Sequence, residues 1–156
     1  MHIHIVAVGQ KPPEWVSRGY QTYARRLQGE CSLKLHEITA GKRSKGLPVE
    51  RLRQDEGERM LRLVPRDTWV VALDESGQHW NTRQLATRFA DWLLAGRDLC
   101  LLIGGPDGLA PACLERADCV WSLSRLTLPH ALVRIVLAEQ LYRAWSLYRN
   151  HPYHRD

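Results

Sequence analysis

Short apolar runs alternate along this chain with stretches of helical periodicity, and that alternation admits few folds. Ile3, Ile5 and Val6–Val8 read as a first strand ended by Gly9. Leu33, Leu35 and Ile38 suggest a second with alternating faces, whereas Trp69–Asp74 and Leu99–Ile103 are apolar at nearly every position, the pattern of strands buried on both faces. Val120–Leu123 is a shorter run of strand type. Between these runs the spacing becomes helical. Pro12-Pro13 opens a stretch carrying Trp15, Val16, Gly19, Tyr20, Tyr23 and Leu27, and Val49–Val64 is a charged amphipathic helix with Leu52, Met60, Leu61 and Val64 as its stripe. Asn81 or Thr82 caps a third helix that runs through Leu85, Ala86, Phe89, Trp92 and Leu93 to Gly96. A short helix over Ala112–Ala117 and a long one from about Ala131 to Tyr148 complete the series. The expected fold class is α/β, a mostly parallel sheet with helices on both faces. At 156 residues, with no repeat and no linker, residues 1–156 are expected to form one domain.

The final helix is apolar nearly all round, through Val133, Ile135, Val136, Leu137, Leu141, Ala144, Trp145, Leu147 and Tyr148. Such a helix lies in a large core or in a subunit interface. A chain this short has limited room to bury it, which favours a homodimer. Arg134, Glu139 and Arg143 interrupt it, so it does not read as a membrane span. The four cysteines, Cys31, Cys100, Cys113 and Cys119, show no C-x-x-C and no zinc spacing, and Cys100 sits in an apolar run as a small hydrophobe. With a strand-like N-terminus in place of a signal peptide, a soluble cytoplasmic protein is expected, with no membrane partner.

Charge is unevenly distributed. Residues 1–53 hold ten cationic and four acidic groups, a net +6, residues 54–128 are −3 and the last 28 are +2. All but four of the cations are arginine, whose planar fork of donors suits phosphate and base edges. The basic excess at the two ends predicts a concentrated footprint for an anionic partner. The basic, glycine-containing stretch Ala40–Pro48 is its clearest loop.

Ligands of an open parallel sheet bind beyond the carboxyl ends of its strands. Three segments meet that condition: the turn after Leu73, the loop Gly104–Gly108, and Leu123–Pro129. The glycine loop is neither G-x-G-x-x-G nor a phosphate loop followed by Lys-Ser or Lys-Thr, so it is either a tight turn or a place where backbone approaches a ligand. Ser124–His130 is apolar for a connector and must lie against core or against a ligand's adenine ring. His130 is either catalytic or a helix-start residue. In the tail, His151, Tyr153, His154 and Arg155 fall within five residues, a combination that can stack on and hydrogen-bond an RNA base. Neither His151 with His154 nor His2 with His4 has matching ligands nearby, so no metal site is expected.

The segments IGGPDGL (103–109), LSRLTLPH (123–130) and NHPYHRD (150–156), together with HIVAVGQKP (4–12) and AGKR (40–43), closely resemble a known family. They resemble the bacterial SPOUT-class methyltransferases that modify a pseudouridine of large-subunit ribosomal RNA, over essentially the whole chain. The resemblance implies an α/β fold with a C-terminal trefoil knot, S-adenosylmethionine as cofactor, no metal, a homodimer, and 23S rRNA in the assembled ribosome as partner. It implies cofactor contacts from Leu73, Gly104, Leu123, Ser124, Arg125, Leu126, Thr127 and Leu128, much of them through backbone. The implied reaction is methyl transfer to N3 of a pseudouridine. Arg143 would stabilise or position the N3 anion, with His130 or His154 removing the proton. Tyr153 and Arg155 would hold the base and its backbone, and Lys42, Arg43 and Lys45 would contact phosphates. Two other readings stay open at this stage: a non-catalytic ribosome- or RNA-binding module, and a flavodoxin-like nucleotide protein.

Overall fold

Successive residues of the central strands point into two separate apolar layers. Ile3, Ile5 and Ala7 join one core with Val71, Leu99, Leu101 and Ile103, and Val6 and Val8 join the other with Val70, Ala72, Cys100 and Leu102. The computed structural model in which this is seen describes residues 1–27, 29–42 and 46–154. Its strands are β1 (His2–Val8), β2 (Ser32–Ile38), β3 (Thr68–His79), β4 (Asp98–Ile103) and β5 (Cys119–Ser122). They form one sheet in the order β2-β1-β4-β3-β5, and every neighbouring pair is parallel. The helices are α1 (Glu14–Ala24), α2 (Val49–Arg62), α3 (Thr82–Leu94), α4 (Pro111–Arg116) and α5 (His130–Tyr148), followed by a 3-10 turn at Pro152–His154. Tyr20 of α1, Leu85, Phe89 and Trp92 of α3, and Leu137, Leu141 and Ala144 of α5 cover the first face. Met60 of α2 and Cys113 of α4 cover the second. The expected α/β layering is present, and the sheet is wholly parallel.

Local chemistry sets the element ends. The Asn81 side chain accepts from the Gln84 backbone N–H at 2.9 Å, and Gln84 Oε1 accepts from the Asn81 N–H at 2.9 Å, a capping box that settles on Asn81 as the cap of α3. Pro13, Pro48 and Pro129 each stand immediately before a helix. The four cysteines are unpaired, and Cys100 lies in the core with its thiol pushed up to about 12 by burial.

One strand outruns its sequence signal. β3 continues five residues past the apolar run into Glu75-Ser76-Gly77-Gln78-His79. Leu73 and Gln78 both pair with Trp121, so Asp74–Gly77 bulge out of the ladder before pairing resumes at Gln78 and His79. A Cβ at Gly77 would lie 2.6 Å from the Trp121 nitrogen, so only glycine lets the two backbones pass there. The extension is polar because it has left the two covered faces, and periodicity alone therefore misses it.

α5 runs between α1 and α3 and carries a buried cation. Arg134 is 3% exposed; its Nη1 donates to Glu37 Oε2 at 2.5 Å, and its Nη2 to the carbonyls of Gly9 at 2.6 Å and Val8 at 3.4 Å. One side chain thus joins the start of α5 to the carboxyl ends of β1 and β2. Truncation would leave a carboxylate and two carbonyls without their donor. Arg134→Ala is therefore expected to lower unfolding free energy in urea by about 3–5 kcal/mol. Glu37→Gln, which keeps an acceptor for Nη1, is expected to cost less than half as much in the same titration.

Candidate functional site

The carboxyl ends of β3 and β4 lie side by side, Leu73 in register with Ile103, and β5 delivers its following loop across them. The result is a cleft of about 190 Å³ lined by Leu73, Asp74, Glu75, Ile103, Val133 and the continuous segment Ser122–Leu128. Seven of the eight residues that the resemblance assigns to cofactor contact are in this lining. The eighth, Gly104, follows Ile103 directly and is turned into its own loop: a Cβ there would lie 2.6 Å from the Gly108 carbonyl carbon. Gly105 and Gly108 bridge each other, with the Gly108 N–H on the Gly105 oxygen at 3.0 Å and Gly108 at φ +80°. The glycine loop is thus a tight turn that the absent Cβ atoms permit.

Hydroxyls shape the segment after β5. Ser122 Oγ donates to the Ser124 carbonyl at 3.1 Å, and the Leu126 N–H donates to Ser124 Oγ at 2.9 Å. This local turn presents Leu126, which is 76% exposed. A large aliphatic side chain held that far from the core is suited to cover an apolar ligand or a second protein surface. Sequence reasoning did not assign Asp74 and Glu75. They put two carboxylates in the wall, with Asp74 Oδ1 accepting from Ser76 N at 2.9 Å and Ser76 Oγ at 2.6 Å. The sequence signal for them was their place directly after a buried strand. A cleft with aliphatic walls, backbone polar groups and carboxylates fits a ligand that combines an aromatic heterocycle with positive charge.

The three catalytic candidates do not gather around this cleft in one chain. His130 opens α5, with its ring beside Gly9 and close to the cleft residues Leu128 and Val133. Arg143 lies ten residues beyond Val133, about 15 Å along the helix at 1.5 Å per residue. There the tail folds back on α5 through Glu139. Its Oε1 accepts from Arg143 Nη2 at 2.6 Å, Arg143 Nε at 3.0 Å and the Tyr153 hydroxyl at 3.0 Å, while Oε2 accepts from Gln140 at 2.6 Å. The Arg143 guanidinium is 5.1 Å from the Tyr153 ring centroid, and Tyr142 packs on Tyr153 at 4.6 Å. His154 sits beside this cluster, its Nδ1 buried and without a hydrogen bond among the described residues. Lys42 is exposed in the connection from β2 to α2. Arg43, Lys45 and Arg155 lie outside the described residues.

Comparison with known proteins places these features in a family context. Residues 1–154 match the family described as "Predicted SPOUT methyltransferase". The chain is 57% identical to ribosomal RNA large subunit methyltransferase H of Thioalkalivibrio sulfidiphilus, over the full length of both. It is 54% identical to the protein of that name from Methylococcus capsulatus over 99% of this chain and all of the relative. For the Nitrosococcus oceani protein the identity is 55%, over 99% of each. Among solved structures, a methylase-family protein from Neisseria gonorrhoeae superposes with a TM-score of 0.50 over 90% of this chain and 80% of the other. At 11% identity that likeness concerns the fold alone.

The tail hub has a titration signature. Burial, then the Glu139 hydrogen bond and charge, push the Tyr153 phenol from its ordinary value of 10 up to about 12, against an opposing pull from Arg143. Because the folded value is the higher one, the stabilisation is complete below pH 10 and is lost as pH climbs from 10 towards 12. Glu139→Gln should move the Tyr153 titration down towards 10. NMR of ring-labelled tyrosine would follow it, with Tyr153→Phe identifying the resonance.

Proposed function

We propose that this chain, which belongs to the SPOUT methyltransferase family, methylates large-subunit ribosomal RNA with S-adenosylmethionine as the methyl donor. The finer reading is transfer to N3 of a pseudouridine in 23S rRNA of the assembled ribosome, by a homodimer in the cytoplasm. The observation that carries it is the gathering of Leu73 and the whole segment Leu123–Leu128 into one cleft at the carboxyl edge of a parallel sheet. Full-length relatives at 54–57% identity support the substrate class.

When bound, the cofactor supplies a methyl group already activated by a sulfonium, so its transfer calls for no metal. The chain's own residues hold and exclude. Leu73, Leu123, Leu126 and Leu128 supply the aliphatic walls for the adenine, and backbone groups of 123–128 meet its polar edge. Asp74 and Glu75 suit the positive charge. Gly104 shapes the adjoining turn. His130 stands closest to the cleft among the proton-accepting candidates, and a guanidinium such as that of Arg143 stabilises negative charge developing at N3. Tyr153 and Arg155 hold the base, and Lys42, Arg43 and Lys45 meet phosphates.

The separation along α5 bears on assembly. Arg143, Tyr153 and His154 are not among the residues that line their own chain's cleft. A second copy would bring its tail to the first copy's cleft, using the half-exposed apolar residues of α5. The trefoil knot that the resemblance implies belongs to the same proposal, with the segment after β5 as the gripping element.

The direct test is transfer of labelled methyl from S-adenosylmethionine to intact ribosomes and to free 23S rRNA. Label at N3 of a pseudouridine, on ribosomes in preference to free RNA, is the expected result; no transfer to either overturns the reading. Leu126→Asp is expected to weaken cofactor binding more than tenfold in calorimetry. Lys42→Glu should raise KM for ribosomes, increasingly so as salt is lowered, and leave cofactor affinity unchanged. Mixing an Arg143→Ala chain with a Leu126→Asp chain should recover part of the activity that each lacks alone, because one composite site in the mixed dimer is intact.

A further inference from the structure

The amino-terminal halves of β1 and β2 alternate strictly, and only one of their two faces is apolar. Ile3 and Ile5 of β1 lie in the first core, with Leu33 and Leu35 of β2 packed against it. The opposite face of the same stretch carries His2 and His4 on β1 and Ser32, Lys34 and His36 on β2. The second core takes up that face only further along, at Val6, Val8 and Ile38. In register, Lys34 stands beside His4 and Val6 beside His36, so the two histidines are diagonal neighbours across the strand pair. His4 is buried, and a buried imidazole has two ring nitrogens to satisfy.

Both nitrogens have a neighbour. His4 Nδ1 lies 3.1 Å from His36 Nε2, a hydrogen-bond distance. The ring planes are 18° apart and the centroids 5.3 Å apart. That separation exceeds the N···N distance by about two ring radii, so the rings meet end to end with one nitrogen of each on the line between them. On the other side, His4 Nε2 lies 3.8 Å from Asp98 Oδ2 of β4, and Asp98 Oδ1 accepts from the His2 backbone N–H at 2.8 Å. A carboxylate beside Nε2 favours the proton on that nitrogen, which leaves Nδ1 as the acceptor for the His36 Nε2–H. Asp98, His4 and His36 thus form a chain across β4, β1 and β2.

The two histidines respond differently to a further proton. His36 can take one on its Nδ1 and still donate through Nε2. His4 has only Nδ1 left, and a proton there sets two N–H groups against each other at 3.1 Å. The groups that face His4 are His2 on its own strand, Lys34 and His36 on β2, and Asp98 on β4; of these only Asp98 favours a charged ring. Cys100, in register with His4 on β4, is kept a neutral thiol by burial. Burial first, and then His36, hold the His4 imidazole below its ordinary value of 6.5. Because the folded value is the lower one, the stabilisation is complete above pH 6.5 and is lost as pH falls below it.

We propose that His4 and His36 form a proton-sensitive clasp that holds the edge strand β2 on β1, closed while His4 Nδ1 keeps its lone pair and opened when that nitrogen is protonated. Glu37, the next residue of β2, is the carboxylate that pairs with Arg134, so the strand retained by the clasp also seats the start of α5.

At about pH 7.5, nitrogen NMR of ring-labelled histidine should show His4 protonated on Nε2 alone and a scalar coupling across the bond from His36 Nε2 to His4 Nδ1. Amide exchange, corrected for intrinsic rates, compares β2 with the central strand β4. From about pH 7.5 to about pH 5.5, protection of β2 should fall about tenfold while that of β4 changes less than about threefold. His36→Leu removes the donor and should make the ratio of the two protections independent of pH. His36→Gln offers an amide N–H in its place; β2 should stay protected at about pH 7.5 and still loosen in acid, because the sensor is His4. A His4 proton on Nδ1 at about pH 7.5, an equal change in both strands, a His36→Leu chain as acid-sensitive as wild type, or a His36→Gln chain insensitive to acid each overturns the proposal. Should His36→Leu fail to fold, the coupling and the exchange of the wild-type and His36→Gln chains decide.

Discussion

A single buried guanidinium sets the register of the C-terminal half of this protein. Arg134 enters the interior at the start of α5 and finds its acceptors in Glu37 and the carbonyls of Val8 and Gly9. A cation taken from water is tolerated only where its donors are matched, and matching acceptors occur here at the carboxyl ends of two adjacent strands. α5 cannot slide by a turn without losing them. The residue before Arg134, Val133, then falls in the cleft wall, and the segment between β5 and α5 is left to span the ends of β3 and β4. The cleft is thus a consequence of where one charge could be buried.

The other wall depends on an irregular strand. β3 bulges at Asp74–Gly77 and rejoins β5 at Gln78, which brings Asp74 and Glu75 to the cleft while Trp80 stacks on Trp121 at 5.0 Å beyond it. An ordinary strand end would have sent these residues into a loop. Gly77 allows the return because the backbone of β5 occupies the space of its missing side chain. Cofactor-facing chemistry in the proposed enzyme therefore combines one regular feature, the aligned ends of parallel strands, with one departure from regularity.

The two ends of α5 have different surroundings. Its start borders the cleft, and its last turns carry the hub in which Glu139 orders Arg143 and Tyr153. The polar tail is ordered because Tyr153 and Arg143 share one carboxylate oxygen of Glu139, Tyr153 packs against Tyr142, and the Arg143 guanidinium lies over the Tyr153 ring. A helix long enough to separate the groups proposed to hold the cofactor from those proposed to hold the base suits an enzyme completed by a second copy.

Local pattern was a good guide to the layers. Strands at 3–8, 69–74 and 99–103 and helices around 49–64, 82–95 and 131–148 were legible from apolar periodicity, because residues within a few positions of one another decide which face is buried. Residue 73 and the segment 123–128 were assigned to cofactor contact by resemblance to a family, and they line one cleft. Hidden from the sequence were the Arg134–Glu37 pair, 97 residues apart, and the polar extension of β3. The chain by itself determined the class of fold and the segments able to carry chemistry, since both follow from short-range hydrophobic spacing and motif. Only the tertiary structure decided which buried charge meets which acceptor, because that depends on a strand order in which β1 lies between β2 and β4, and spacing along the chain does not encode strand order.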